Sequence, residues 1–87
     1  MPSKTLLIVR IKPVEMELLD SIAKSVENIK SGSVKDVKRY PIGFGVELLK
    51  VGVLVDSEDE SLPDKVVKEI SSIAGVEEAE IEGMTLL

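Results

Sequence analysis

The chain has 87 residues, 44% hydrophobic and 31% charged, which is enough apolar material for one small core and too much for a disordered polypeptide. Sixteen acidic residues against eleven basic ones give a net charge of −5, the wrong sign for attraction to a phosphate backbone, so no direct nucleic-acid partner is expected. With no Cys, no His and only two aromatics, Tyr40 and Phe44, the composition excludes disulfides, thiol nucleophiles, thiolate or imidazole metal sites and the commonest general base.

Residues Thr5 to Lys12 (TLLIVRIK) form a β-rich run that Pro13 stops, because proline donates no ladder hydrogen bond. From Glu15 to Lys30 the period changes. Leu18, Leu19, Ile22, Val26 and Ile29 lie on one stripe of a helix, acidic residues crowd its first turns, and Gly32 supplies the stop. Val34 to Tyr40 (VKDVKRY) reads as an edge strand protected by its charges. A turn at Pro41-Ile42-Gly43-Phe44-Gly45 follows, then the most apolar stretch, Val46 to Val55, as a central strand with Leu49, Val51, Val53 and Val55 inward. After the acidic loop Asp56 to Glu60, Ser61 as cap and Pro63 in the first turn start a second helix, with Val66, Val67, Ile70, Ile73 and Ala74 on its apolar stripe. Gly75 ends it, and Val76 to Leu86 returns to period two as the last strand.

The order β-α-β-β-α-β, with short connections and no linker or repeat, predicts a single domain over residues 1–87. The fold class is α/β (α+β): a ferredoxin-like sandwich with a four-stranded antiparallel-type sheet of order 4-1-3-2 and both helices on one face. Alternation then places Leu6, Ile8, Leu48 and Leu54 beside Arg10 and Lys50 on the open face, a patch that leaves monomer and weak homodimer both open. The longest apolar run, Leu6 to Val9, is far short of the roughly 20 residues of a membrane span, so no membrane partner and a cytoplasmic location are expected.

Nothing in the chain reads as an active site, and no cofactor, catalytic residue or metal ligand is expected. The acidic loop lacks the spacing of a calcium loop, and Glu77, Glu78, Glu80 and Glu82 alternate along one strand as edge protection. The same element order occurs in RNA-recognition modules, but those stack bases on aromatics of the two central strands, and neither strand here has one. It also occurs in small-molecule-binding regulatory domains, yet the turn Lys12-Pro13-Val14 has no glycine to let a ligand approach the backbone. The segment PIGFG supports two readings: a tight turn whose Phe44 folds back onto the core, or a shaped loop presenting Phe44 to another protein's pocket.

From Tyr40 onward, YPIGFGVELLKVGVLV, the acidic loop and the ending GVEEAEIEGMTLL resemble the archaeal translation elongation factor 1-beta family and the C-terminal exchange domain of its eukaryotic counterpart. The family's motif reads Pro-Ile-(Ala/Gly)-Phe-Gly before an apolar strand. The likeness covers the whole chain in length and element order, more loosely before Tyr40. It implies a guanine-nucleotide exchange factor, not an enzyme, whose partner is the GTPase elongation factor 1-alpha. It further implies that Pro41, Ile42, Gly43, Phe44 and Gly45 bind that partner, with Phe44 on its second domain. The end Thr85, Leu86 and Leu87 would approach the nucleotide domain near its Mg²⁺ site, roughly 25 to 30 Å away for strands of eight or nine residues. The family usually carries a basic residue close to the C-terminus. Here Leu86 stands in that place and no basic residue follows Lys68. Because strand one begins beside the end of strand four, Lys4 is the nearest candidate for a substitute cation.

Overall fold

The computed structural model describes residues 3–87. Strand β1 (Lys4–Pro13) sends Leu7, Val9 and Ile11 into the core by simple alternation, and Pro13 closes it. A single 3-10 turn, Met16–Leu18, leads into α1 (Leu19–Val26). Strands β2 (Ser33–Gly43) and β3 (Val46–Asp56) form a hairpin, α2 spans Leu62–Ser71, and β4 spans Val76–Leu86. The sheet order is β2-β3-β1-β4 with every neighbouring pair antiparallel, the expected 4-1-3-2 arrangement read from the other edge. Ile22 and Val26 of α1 and Val66 and Ile70 of α2 bury their side chains against Leu49, Val51, Val53 and Val55 of β3 and the inward residues of β1.

The first helix is much shorter than the expected Glu15–Lys30. After Val26 the amides of Asn28 and Ile29 bond back only three residues, to Ser25 and Val26, at 3.1 and 3.2 Å. The next two amides, of Lys30 and Ser31, donate instead to the Glu69 carboxylate on α2. A side chain from the other helix thus takes donors that a continuing helix would have needed. Gly32 is not the left-handed stop it resembles. A Cβ there would lie 2.5 Å from Val53 Cγ1 and 2.9 Å from Val55 Cγ1, so this glycine lets the chain pass close over β3. Gly75, by contrast, has φ of +94° where the α2 connection turns into β4.

Two further expectations change. Ser61 stands at the start of α2 but does not cap it: its backbone is already helical, and its hydroxyl and amide both donate to Asp59 Oδ1. Strand β2 extends through Gly43, so Pro41, Ile42 and Gly43 belong to the strand and only Phe44 and Gly45 remain as the turn. Bulges make β2 fit. The register skips Lys35, which brings Val34 and Val37, three residues apart, onto the same core-facing side, and skips Ile42 near the tip. With strands of 10 or 11 residues the molecule is elongated, 45 × 22 × 16 Å. Among the described residues no helix is long and apolar enough to cross a membrane.

Candidate functional site

The open face of the sheet is less apolar in its exposure than alternation suggests. Leu48 is buried there, beneath a shallow depression of about 220 Å³ that Arg10, Lys12, Ile42 and Glu78 complete, while Leu6, Ile8 and Leu54 are half-buried. Register puts Lys38, Lys50 and Arg10 side by side across β2, β3 and β1, a row of like charges that is unfavourable by itself. Each has an acidic neighbour. Lys50 pairs with Glu82 at 3.0 Å, Lys38 with Asp36 at 3.5 Å, and Arg10 with Glu80, while Lys12 next along β1 reaches Glu77 at 3.5 Å. The glutamates of β4 therefore neutralise cations of β1 and, across it, of β3, as well as protecting an edge. Tyr40 also sits at this surface, with Lys50 Nζ 3.9 Å from its ring centroid. The ring already carries a cation on its edge strand, and β1 and β3 present no aromatic for base stacking.

Apart from Val14, in the connection after β1, the large hydrophobic side chains left in solvent lie at the two ends of the sheet. At the hairpin end are Tyr40, Ile42 and Phe44; at the other are Met84, Leu86 and Leu87. Phe44 is fully exposed, which decides against folding back onto the core. Gly43 pairs with Val46, and between them Phe44 and Gly45 have φ of +55° and +75°. Positive φ at both central residues of a two-residue hairpin loop is the type I′ pattern, whose twist matches that of the strands. The base of the hairpin is tied to the first helix: Arg39 pairs with Asp20 and approaches Glu47 at 3.7 Å, and the Glu47 amide donates to Met16 Sδ at 3.2 Å. Glu47 Oε2 is buried without a hydrogen-bond partner, which leaves Arg39 as its compensation. Sequence reasoning missed this bracing; its one signal was a lone acid, Glu47, inside the apolar run of β3.

At the far end, Leu86 pairs with Thr5 and the Leu87 amide donates to the Lys4 carbonyl at 2.8 Å. Lys4 thus lies directly beside the C-terminal residue, as expected, and Thr85, Leu86 and Leu87 are all exposed. The hairpin and the tail are not brought together. Counting about 3.3 Å per residue along β3 from Val46 to Asp56 puts them roughly 33 Å apart, more than expected because the strands are longer.

The acidic loop does not converge on a common point. Asp56 accepts the Glu58 amide and Asp59 the Ser61 amide, both at 2.9 Å, so these carboxylates shape turns. The Ser61 hydroxyl, followed by its amide, holds the Asp59 carboxyl below its ordinary range. On α2 the Ser31 hydroxyl, joined by the Lys30 and Ser31 amides, does the same for Glu69.

The profile of the EF-1 guanine nucleotide exchange domain matches residues 6–87. The chain belongs to that family. Its role is guanine-nucleotide exchange in translation elongation. The elongation factor 1-beta of Methanosphaerula palustris is 36% identical over 80 residues, covering 92% of this chain and 93% of that protein. Those of Archaeoglobus fulgidus and Hyperthermus butylicus are 33% and 32% identical, with 91% and 94% of this chain covered and 92% of each of those proteins. Among solved structures, the C-terminal domain of the MgtC protein from Mycobacterium tuberculosis superposes with a TM-score of 0.53 at 13% identity, covering 99% of this exchange domain and 88% of that chain, a likeness of fold alone.

Proposed function

We propose that residues 1–87 act as one exchange domain that promotes replacement of GDP by GTP on elongation factor 1-alpha, touching it with both ends of the sheet. The observation that carries this reading is the segregation of the large exposed hydrophobics, Val14 apart, into two clusters at opposite ends of a molecule 45 Å long. The hairpin residues Pro41, Ile42, Gly43, Phe44 and Gly45 form the anchoring contact, with Phe44 inserted into the partner. The tail Thr85, Leu86 and Leu87 forms the contact that disturbs nucleotide and Mg²⁺ on the partner. Lys4, held beside Leu87, is the cation available in the tail's neighbourhood, since the chain has no basic residue after Lys68.

The mechanism needs no proton transfer or covalent step. An exchange factor binds the nucleotide-depleted GTPase better than the nucleotide-bound one, and by linkage nucleotide release and factor binding favour one another equally. The domain works in the cytoplasm as a monomer or weak homodimer and makes no contact of its own with nucleic acid.

The test is release of a fluorescent GDP analogue from elongation factor 1-alpha. Micromolar protein should accelerate it, GTP hydrolysis by the domain alone should be absent, and Phe44→Ala should weaken the complex by about 2 kcal/mol, roughly 30-fold. No acceleration by the unaltered protein would sink the proposal.

A further inference from the structure

Phe44 has φ of +55°, a left-handed backbone conformation that phenylalanine disfavours because its Cβ crowds the adjacent carbonyl. The type I′ turn prefers Asn-Gly, Asp-Gly or Gly-Gly at these two places, and this chain has Phe-Gly. Nothing in the fold repays that choice, because the ring is fully exposed and packs on nothing. Strain of this kind, held by its surroundings, marks positions where backbone geometry serves a task other than folding. The surroundings are explicit: Gly43 at +103° and Gly45 at +75° flank the residue, the Gly43 to Val46 pair closes the loop, and the Arg39, Asp20 and Glu47 contacts brace its base.

We infer that Gly43 and Gly45 are positioning residues that permit the left-handed β2–β3 turn, which the Gly43 to Val46 pair and the Arg39, Asp20 and Glu47 contacts hold in place, so that Phe44 projects as a pre-organised anchor for an apolar pocket on the partner. The chain gives up folding stability at Phe44 in exchange. A ring fixed before contact loses little freedom on docking, whereas one on a mobile loop must be ordered at that moment. The partner surface it fits is a concave apolar pocket large enough for one phenyl ring. This deepens the docking role proposed above and rests on it for its binding half; its stability half stands without the partner.

Four variants test it by thermal unfolding and by affinity for elongation factor 1-alpha measured well below the unfolding range. Phe44→Asn should raise the midpoint of unfolding by about 4 to 8 °C, the shift that relief of a left-handed penalty gives in a chain of this size, while weakening the complex at least tenfold. Phe44→Ala, which keeps an L side chain without left-handed preference, should weaken the complex without that gain. A Cβ at Gly45 would meet nothing within 4 Å, so Gly45→Ala changes only the backbone preference. It should lower the midpoint and weaken the complex at least threefold with Phe44 intact, and Gly45→Asn, which tolerates the left-handed region, should recover most of both. A midpoint unchanged or lowered in Phe44→Asn overturns the strain, and Gly45→Ala binding as tightly as the unaltered protein overturns the positioning. If the unaltered protein does not bind the GTPase, the docking proposal has failed, and the midpoints still decide the strain.

Discussion

Glu69 is the side chain whose removal should reveal most about how the two helices are held. Its carboxylate accepts the Lys30 amide at 2.9 and 3.1 Å, the Ser31 amide at 2.9 Å and the Ser31 hydroxyl at 2.6 Å, so one residue on α2 fixes the segment that leaves α1. Glu69→Gln keeps the shape and one acceptor oxygen, but removes the charge and turns an NH₂ toward an amide that needs an acceptor. Three of the four bonds end on Oε1, so a Gln oxygen there keeps three acceptor contacts without the charge and loses the Lys30 bond to Oε2; with hydrogen bonds to a charged group contributing about 1.5 to 3 kcal/mol each, the expected loss at this partly exposed site is about 1 to 2 kcal/mol at pH 7. In a chain of this length each kcal/mol lowers the unfolding midpoint by about 4 to 8 °C. The pH dependence is the sharper part. These hydrogen bonds, led by the Ser31 hydroxyl, depress the folded pKa of Glu69 below its unfolded value. The associated stability is therefore fully present above the ordinary glutamate range, about 4.3, and disappears as the pH falls through the lowered folded value. A protonated Glu69 is nearly isosteric with Gln, so the gap between the two proteins should close in acid. Chemical denaturation of both at a series of pH values from 7 downward checks this. A gap that persists unchanged below the titration, or no gap at pH 7, would refute the clamp.

Gly32→Ala places a Cβ 2.5 Å from the fully buried Val53 side chain, so overpacking of about 1 to 3 kcal/mol is expected, seen as a lower urea midpoint with the same slope; an unchanged midpoint would show that β3 yields without cost. Lys4→Ala and deletion of Thr85 to Leu87 separate two ways of acting at the tail in the nucleotide-release assay. Loss of acceleration only in the deletion assigns the effect to the exposed apolar end, loss in both assigns a share to the Lys4 charge, and full activity of both removes this end from the proposed contact.

The strands and their order were legible because their signals are local and periodic. Leu7, Val9 and Ile11, and Leu49, Val51, Val53 and Val55, announce one buried face by alternation, and β4 has the predicted bounds Val76 to Leu86, although its register against β1 skips Glu77 and Glu82. What stayed hidden depends on partners distant in sequence. No local pattern at Lys35 or Ile42 distinguishes a bulge from a regular strand residue, yet those two set the register of β2. The chain leaving α1 is held by Glu69, 39 residues beyond Lys30. Gly32 looks like a stop and is a clearance, because its function lies in the side chains of Val53 and Val55 beneath it. At the candidate site the motif PIGFG drew notice from composition alone, while the exposure of Phe44 followed only from the backbone turning left-handed at a residue that seldom does so.

The open face shows why contact is expected at the ends of the sheet and not across it. Alternation alone left a face with four apolar residues and several cations, suited in principle to a second copy or to an anionic partner. In the folded chain Lys50, Lys38, Lys12 and Arg10 each meet a carboxylate of the same molecule, so an anion would have to displace Glu82, Asp36, Glu77 or Glu80 and leave it unpaired. Exposed pairs contribute only about 0 to 1 kcal/mol each, so their effect lies less in stability than in cancelling the field that would steer a charged partner to this face. Leu48 is covered as well, and, Val14 apart, the large apolar groups that remain exposed stand at the hairpin and at the tail. A neutralised, stiff sheet between two apolar ends behaves as a spacer of roughly 33 Å, taking the residue spacing of extended strands, and it ties contact at one end to the position of the other. In the complex proposed above, anchoring through Phe44 would raise the effective concentration of the tail at its own target, so that two small apolar contacts would act together on the GTPase without any catalytic group.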